Sequence, residues 1–141
     1  MRHLIKFLCL ALLLISGTAS AELAVIGNPN SGIEKLSKDE VINIYMGRTR
    51  KLANGLTGIP IDLSNTNQEK MQFYSLLVGK ELAEINSYWA RLRFSGLGHP
   101  PIQVNNAEEA ISLVSENKGA IAYIDSRKID KRVKLILLLS N

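Results

Sequence analysis

Cysteine is almost missing from this 141-residue chain. The single one, Cys9, lies within an N-terminal segment that reads as a removable leader. The chain beyond the leader therefore has no disulfide, no thiol nucleophile and no thiolate metal ligand. Histidine is nearly as scarce, and outside that leader only His99 remains, in a turn before Pro100-Pro101 with no Glu or His at zinc-ligand spacing. The chain also lacks a Gly-x-Ser-x-Gly elbow, a Gly-rich phosphate loop with its Lys, and a Gly-x-Gly-x-x-Gly dinucleotide turn. Asp39-Glu40 and Glu108-Glu109 fall where helices should begin, and the helix dipole accounts for them without catalysis. The reading is a non-enzyme, with no catalytic residues, no metal site and no cofactor.

A long apolar run is lacking too. The unbroken stretch at residues 7–15 is too short to cross a membrane, which takes ~20 residues. It follows the positive residues Arg2, His3 and Lys6 and leads to Ala19-Ser20-Ala21, the small-x-small pattern of a signal-peptidase site. Residues 1–21 are thus expected to be a cleaved signal peptide and residues 22–141 a single exported, periplasmic domain that does not span the membrane. Without Arg2 and Lys6, 15 basic residues face 13 acidic ones, a net charge of +2. So mild a balance argues against a nucleic-acid partner. The clusters Arg48-Thr49-Arg50-Lys51, Arg127-Lys128 and Lys131-Arg132 read as solvated loop charge.

Hydrophobic periodicity and turn residues set the order of elements. A strand at residues 23–26 stops at Gly27-Asn28-Pro29-Asn30-Ser31-Gly32. A helix comes next, with Ser37 and Glu40 at capping-box spacing, Val41, Ile44 and Tyr45 on one face, and Gly47 as its stop. Ile59-Pro60-Ile61-Asp62-Leu63 reads as a strand whose proline puts it at a sheet edge or at its own first residue. Thr66 and Glu69 repeat the capping-box spacing before a helix ended by Gly79. A third helix carries Leu82, Ile85, Leu92 and the only tryptophan, Trp89, read as a core anchor. After Pro100-Pro101 come a strand at residues 102–104, a helix opened by Asn106 and Glu109 and closed by Gly119, a buried strand at residues 120–124, and a last strand at residues 133–139. The order β-α-β-α-α-β-α-β-β predicts an α/β fold: one three-layer lobe, its mostly parallel sheet flanked by helices.

The stretch suited to holding something small is Leu63-Ser64-Asn65-Thr66-Asn67, where a strand hands over to a helix N-terminus. Free backbone amides, the positive end of the dipole and the short polar side chains of Ser64, Asn65, Thr66 and Asn67 converge there, a cradle for an oxyanion. Ser31 and Gly32 are the weaker second contact. Helix capping alone would explain Thr66.

Several segments resemble one family. Leu36-Ser37-Lys38-Asp39-Glu40-Val41-Ile42-Asn43-Ile44-Tyr45-Met46-Gly47 is similar to the Leu-Ser-x-x-x-Val-x-x-Ile-Phe-x-Gly segment of the periplasmic phosphate-binding proteins that feed ABC importers. The likeness runs on through Asn54-Gly55, Ile59-Pro60-Ile61, Phe73-Tyr74, Tyr88-Trp89 and Phe94-Ser95-Gly96. It ends at Gly119-Ala120-Ile121-Ala122-Tyr123-Ile124, close to a Gly-Ala-Ile-Gly-Tyr strand. The resemblance implies a periplasmic-binding-protein-like lobe that binds phosphate or another small oxyanion for an ABC importer. Two departures accompany it. The family's Arg-x-Asp-Gly-Ser-Gly-Thr loop is replaced by residues 63–69, without its arginine or its glycines, so a charge-assisted bidentate contact is gone. The chain also has length for one lobe where the family closes two around the ligand. A second protein, such as an importer permease, or a second copy in a homodimer is the expected source of the other wall. The competing reading is an envelope interaction module that keeps the fold and has lost the ligand, favoured by the continuous apolar run at residues 135–139.

Overall fold

The nine expected elements occur in the expected order in a computed structural model, which describes residues 22–141. The leader and Cys9 lie outside the described residues. The strands are β1 (Leu23–Gly27), β2 (Ile59–Leu63), β3 (Ile102–Val104), β4 (Ala120–Asp125) and β5 (Lys134–Leu139). The helices are α1 (Lys38–Tyr45), α2 (Gln68–Val78), α3 (Leu82–Phe94) and α4 (Ala107–Glu116).

One sheet contains all five strands in the order β3-β2-β4-β1-β5. β2 pairs in parallel with β3 and β4, while β1 pairs antiparallel with β4 and β5. Four strands therefore run one way and β1 runs against them. Two of the crossovers that join parallel strands run through α-helices, and right-handedness fixes their sides; the third, from β4 past β1 to β5, carries only a 3-10 turn at Ser126–Lys128. The β2-to-β3 connection through α2 and α3 moves outward, whereas the β3-to-β4 connection through α4 moves back. Helices on opposite faces of the sheet result. β1 and β4 are buried at every residue, as strands covered on both faces must be.

Local signals worked where they were strongest. Ser37 accepts from the Glu40 amide at 3.1 Å and the Glu40 carboxylate returns the bond at 3.2 Å, a full capping box. Gly79 ends α2 at φ 65°. Three expectations need correction. β2 is an interior strand, and Pro60 is its second residue. Ile59 donates to Gly119 O across the β4 side and Ser64 to Val104 O across the β3 side. Alternation puts the Pro60 nitrogen on the β3 side, ahead of the first β3 pair at Ile61 and Ile102, where no acceptor is due. Secondly, α2 is capped at Asn67, and Thr66 and Glu69 form no capping box. Thirdly, Gly119 does not close α4, which ends at Glu116 with Asn117 as its cap. Gly119 is needed for close approach, since a Cβ there would collide with the Thr57 carbonyl oxygen.

The core joins the sheet to α1 and α2 through four aromatic rings. Phe73 stacks on Tyr123 at 3.8 Å and meets Tyr45 and Tyr74 edge-on at 4.8 and 5.1 Å. The three tyrosine hydroxyls have a structural task. The β2–β4 ladder ends at Pro60 and Ile121, so the strands part toward their C-termini and leave backbone groups without partners. The Tyr45 hydroxyl bridges the gap, donating toward Ile61 O at 2.8 Å and Ile121 O at 3.2 Å. The Leu63 amide is accepted by Asp62 Oδ1 at 2.9 Å and the Tyr123 hydroxyl at 3.2 Å.

Candidate functional site

The parting of β2 and β4 places a buried carboxylate beneath the β2–α2 loop. Asp62 Oδ1 accepts from Leu63 N and from the Tyr123 hydroxyl in a very short bond. Asp62 Oδ2 accepts from the Tyr74 hydroxyl at 2.6 Å and faces Lys70 Nζ at 3.5 Å. Asp62 and Lys70 are both almost wholly buried. Burial first, and then the Asp62 charge, hold the Tyr74 and Tyr123 phenols far above their ordinary range; Tyr45 is raised by the same causes. The carboxylate accepts from one amide and two phenols, with the Lys70 ammonium beside it. The Tyr45, Tyr74 and Tyr123 phenols are held protonated at neutral pH.

Above it, the loop is held together by its own side chains. Asn67 Nδ2 donates to Ser64 Oγ at 2.8 Å and to Asn105 O at 3.2 Å, and the Ser64 and Thr66 hydroxyls share one bond of 3.0 Å. Two hydroxyl hydrogens with one mutual bond leave one O–H to point outward. Asn67 holds the N-cap position of α2 yet makes no side-chain cap bond. The Gln68 and Glu69 amides belong to a first turn that has no acceptor within the helix. Lys70 N is taken by Asn67 O at 3.2 Å. The loop thus presents two backbone amides, one hydroxyl and the exposed Asn65 amide.

Ser31 and Gly32, the expected second contact, lie in the segment between β1 and α1. Gly27 pairs with Ile121, as Pro60 does, so the chain leaves β1 beside the start of β2. Ser31 O there accepts from Asn54 Nδ2 at 2.7 Å. The loop follows the other end of β2, after Leu63.

Two depressions flank the start of α2. One, about 850 Å³ and wide, is lined by Glu69, Glu81 and Asp125 against Lys80 and Arg127, so acids outnumber bases. Asp125 accepts from Arg127 in a paired contact of 2.6 and 3.0 Å, and this, with the Arg127 amide, lowers its carboxyl to about 2. Glu69 faces into this depression. The other, about 270 Å³, lies between α2, α3 and β3 and includes Asn65, Lys70, Trp89 and Arg93. Sequence reasoning missed Asp62, Lys70 and this cleft, and its only available signal was an ionisable pair within otherwise apolar periodicity. Among the described residues no group of three or more His, Cys, Asp and Glu is placed to hold a metal, and no helix is long and apolar enough to cross a membrane. His99 is exposed in its loop.

The described residues form an α/β lobe with a strand-to-helix loop at the C-terminal end of the interior strand β2. No protein-family model and no curated protein sequence matches the chain. Solved structures do. An ABC-type phosphate transport receptor from Vibrio cholerae superposes with a TM-score of 0.65 at 20% identity, over 82% of this chain and 46% of that one. A putative phosphate ABC transporter substrate-binding protein from Clostridium perfringens, with bound phosphate, gives 0.65 at 17% identity, over 82% and 45%. PstS from Borrelia burgdorferi gives 0.60 at 16%, over 82% and 47%. The likeness is one of fold, and this chain spans about half the length of the structures it matches.

Proposed function

We propose that this chain is an exported solute-binding-type domain that holds a small oxyanion, phosphate first among them, at the start of α2, and serves an ABC importer. The observation that carries the reading is the unsatisfied first turn of α2, whose N-cap residue Asn67 makes no side-chain cap bond, at the C-terminal end of β2. The fold shared with phosphate receptors supports it. Ser64 and Asn67 shape the loop, Thr66 and Asn65 reach outward, and the Gln68 and Glu69 amides point at the anion. A site built from amides without an arginine binds weakly and gains its selectivity from a second wall, contributed by a partner lobe, an importer subunit or a second copy.

Calorimetry and thermal melting of residues 22–141 against phosphate test this. At a hundredfold excess over the dissociation constant the fold should gain about 2.7 kcal/mol. Gln68→Pro is the discriminating variant: proline suits the first helical position, and Asn67 before it is already extended at ψ 129°. It keeps the helix and deletes one donor, so binding should fall about tenfold or more. No melting shift in millimolar phosphate, or full affinity in Gln68→Pro, refutes the reading.

A second reading, an envelope interaction module, draws on the edge strand β5, where Leu135 and Leu138 are each 46% exposed. Sedimentation decides it, since a strictly monomeric species that co-purifies with no envelope protein removes its support.

A further inference from the structure

We propose that the corner formed by the end of α3, the turn at residues 95–101 and the segment at residues 47–51 docks on an anionic lipid surface. Phe94 and Leu97 enter the headgroup layer, and the arginines around them pair with its phosphates. Neither the β2–α2 loop nor inorganic phosphate enters the argument. Phe94 is 99% exposed, Leu97 73% and Ile102 53%, three of the six large apolar side chains that stand in water among the described residues. Phe94 and Leu97 are not loose. Gly96, at φ 69°, ends α3 in a Schellman motif: Leu97 N donates to Leu92 O at 3.0 Å and Gly96 N to Arg93 O at 3.2 Å, while the Ser95 hydroxyl donates to Arg91 O at 2.9 Å. A fixed corner that buries its apolar side chains gains their transfer from water without having to order its backbone first.

The charge around this corner has one sign. Residues 41–61 and 85–107 hold Arg48, Arg50, Lys51, Arg91 and Arg93 and not one Asp or Glu. Apart in sequence, the two stretches meet in space. The Trp89 ring lies between them, 2.9 Å from where a Cβ on Gly47 would sit and 3.6 Å from one on Gly98, and the Tyr88 hydroxyl donates to Met46 O at 2.7 Å. Thr49, Arg50, Leu97, His99 and Ile102 line one shallow hollow. All five cations are exposed, and none has an ion-pair partner among the described residues. Glu84 and Asp62 share hollows with Arg91 and Arg93, and each acid has a cation of its own there, Lys80 and Lys70. The helix dipole accounts for cations in the last turn of α3 but not for an apolar ring in full solvent between them. A second copy of the chain is the wrong occupant for this face, because like charges would meet across a two-fold contact. A bilayer offers both chemistries in the right order, phosphates at the level of the guanidinium groups and an apolar boundary ~5–10 Å deep for the side chains between them.

Co-sedimentation of residues 22–141 with vesicles tests this, using phosphatidylcholine alone and phosphatidylcholine mixed with an equal part of phosphatidylglycerol. Binding is expected to the mixed vesicles only, and it should fade between ~0.1 and ~1 M salt as the Debye length shrinks from ~10 to ~3 Å. Phe94→Ala should weaken it about tenfold, and Arg91→Ala/Arg93→Ala about 25-fold, at about fivefold per arginine. Lys128→Ala is the matched control. Ile59 and Pro60, in the wall of the hollow, pair with the first residues of β4, whereas Lys128 follows the last, so its loss should change binding by no more than about twofold. The replaced side chains are exposed and the fold should persist, which the melting temperature verifies; Leu97→Ser repeats the apolar test at a second position. The proposal fails if the mixed vesicles bind nothing, if phosphatidylcholine alone binds as well, or if Phe94→Ala and Leu97→Ser both bind like the parent. It fails too if Lys128→Ala weakens binding as much as the arginine losses do, or if the face captures an acidic protein and no vesicle. Phosphate calorimetry on Phe94→Ala should match the parent, so this proposal and the loop reading fail separately.

Discussion

Replacing Asp62 with asparagine tests whether the buried network is as structural as its geometry says. The carboxylate accepts from Leu63 N at 2.9 Å, from Tyr74 at 2.6 Å and from Tyr123, and faces Lys70 at 3.5 Å. Asparagine retains one acceptor oxygen and turns an NH₂ group toward donors that already point at it. It also leaves the Lys70 ammonium buried without its counter-charge. Breaking a buried pair from one side costs ~3–5 kcal/mol. A domain of this size has a total stability of roughly 6–18 kcal/mol at ~0.05–0.15 kcal/mol per residue, so the variant should still fold. Its urea midpoint should fall with an unchanged slope, and its melting temperature should drop by roughly 10–20 °C. The Lys70→Met partner variant sharpens the test. In Asp62→Asn/Lys70→Met no charge is stranded, so the double variant should be less destabilised than the two single losses added together. A loss below about 1 kcal/mol for Asp62→Asn, or strict additivity, would show that the network does not hold the parted strands together.

Alkaline titration should show no phenolate absorbance from Tyr45, Tyr74 and Tyr123 until the fold opens. Their folded values lie above the ordinary 10.0, so stability is intact below that pH and is lost as pH rises past it; early, reversible ionisation of these three would contradict the burial. At the acid end, the Arg127 contact lowers Asp125, so its stabilisation is present above the ordinary 3.8 and disappears as pH falls through about 2. Asp125→Asn should flatten that part of a pH–stability curve. Gly119→Ala should cost about 1–3 kcal/mol in a denaturant melt, because its Cβ would meet the rigid Thr57 carbonyl. Gly27→Ala should cost less, since there the obstacle is the flexible tip of Ile136.

Local chemistry made most of the fold legible. Ser37 with Glu40, Asn106 with Glu109, and Gly79 act within one helical turn, so their residue types suffice to place helix ends. The Thr66 and Glu69 spacing failed because a competing partner was nearer: Thr66 bonds Ser64, and Asn67 becomes the cap residue. Pro60 misled for a different reason. The proline rule concerns a missing donor, and which side of a strand that donor would face depends on where the neighbouring strand begins.

The candidate site divides along the same line. The β2–α2 loop was visible because strand, short polar residues and helix are contiguous in the chain. Sequence by itself determined the order of elements, the scarcity of catalytic groups and the position of that loop, since each depends on interactions a few residues apart. Only tertiary structure decided that the chain leaves β1 beside the start of β2, that β1 runs against its neighbours, and that Asp62, Lys70, Tyr74 and Tyr123 meet. The Asp62–Tyr123 contact spans 61 positions along the chain. Such contacts come from strand order and from the parting of β2 and β4, and no local pattern encodes them.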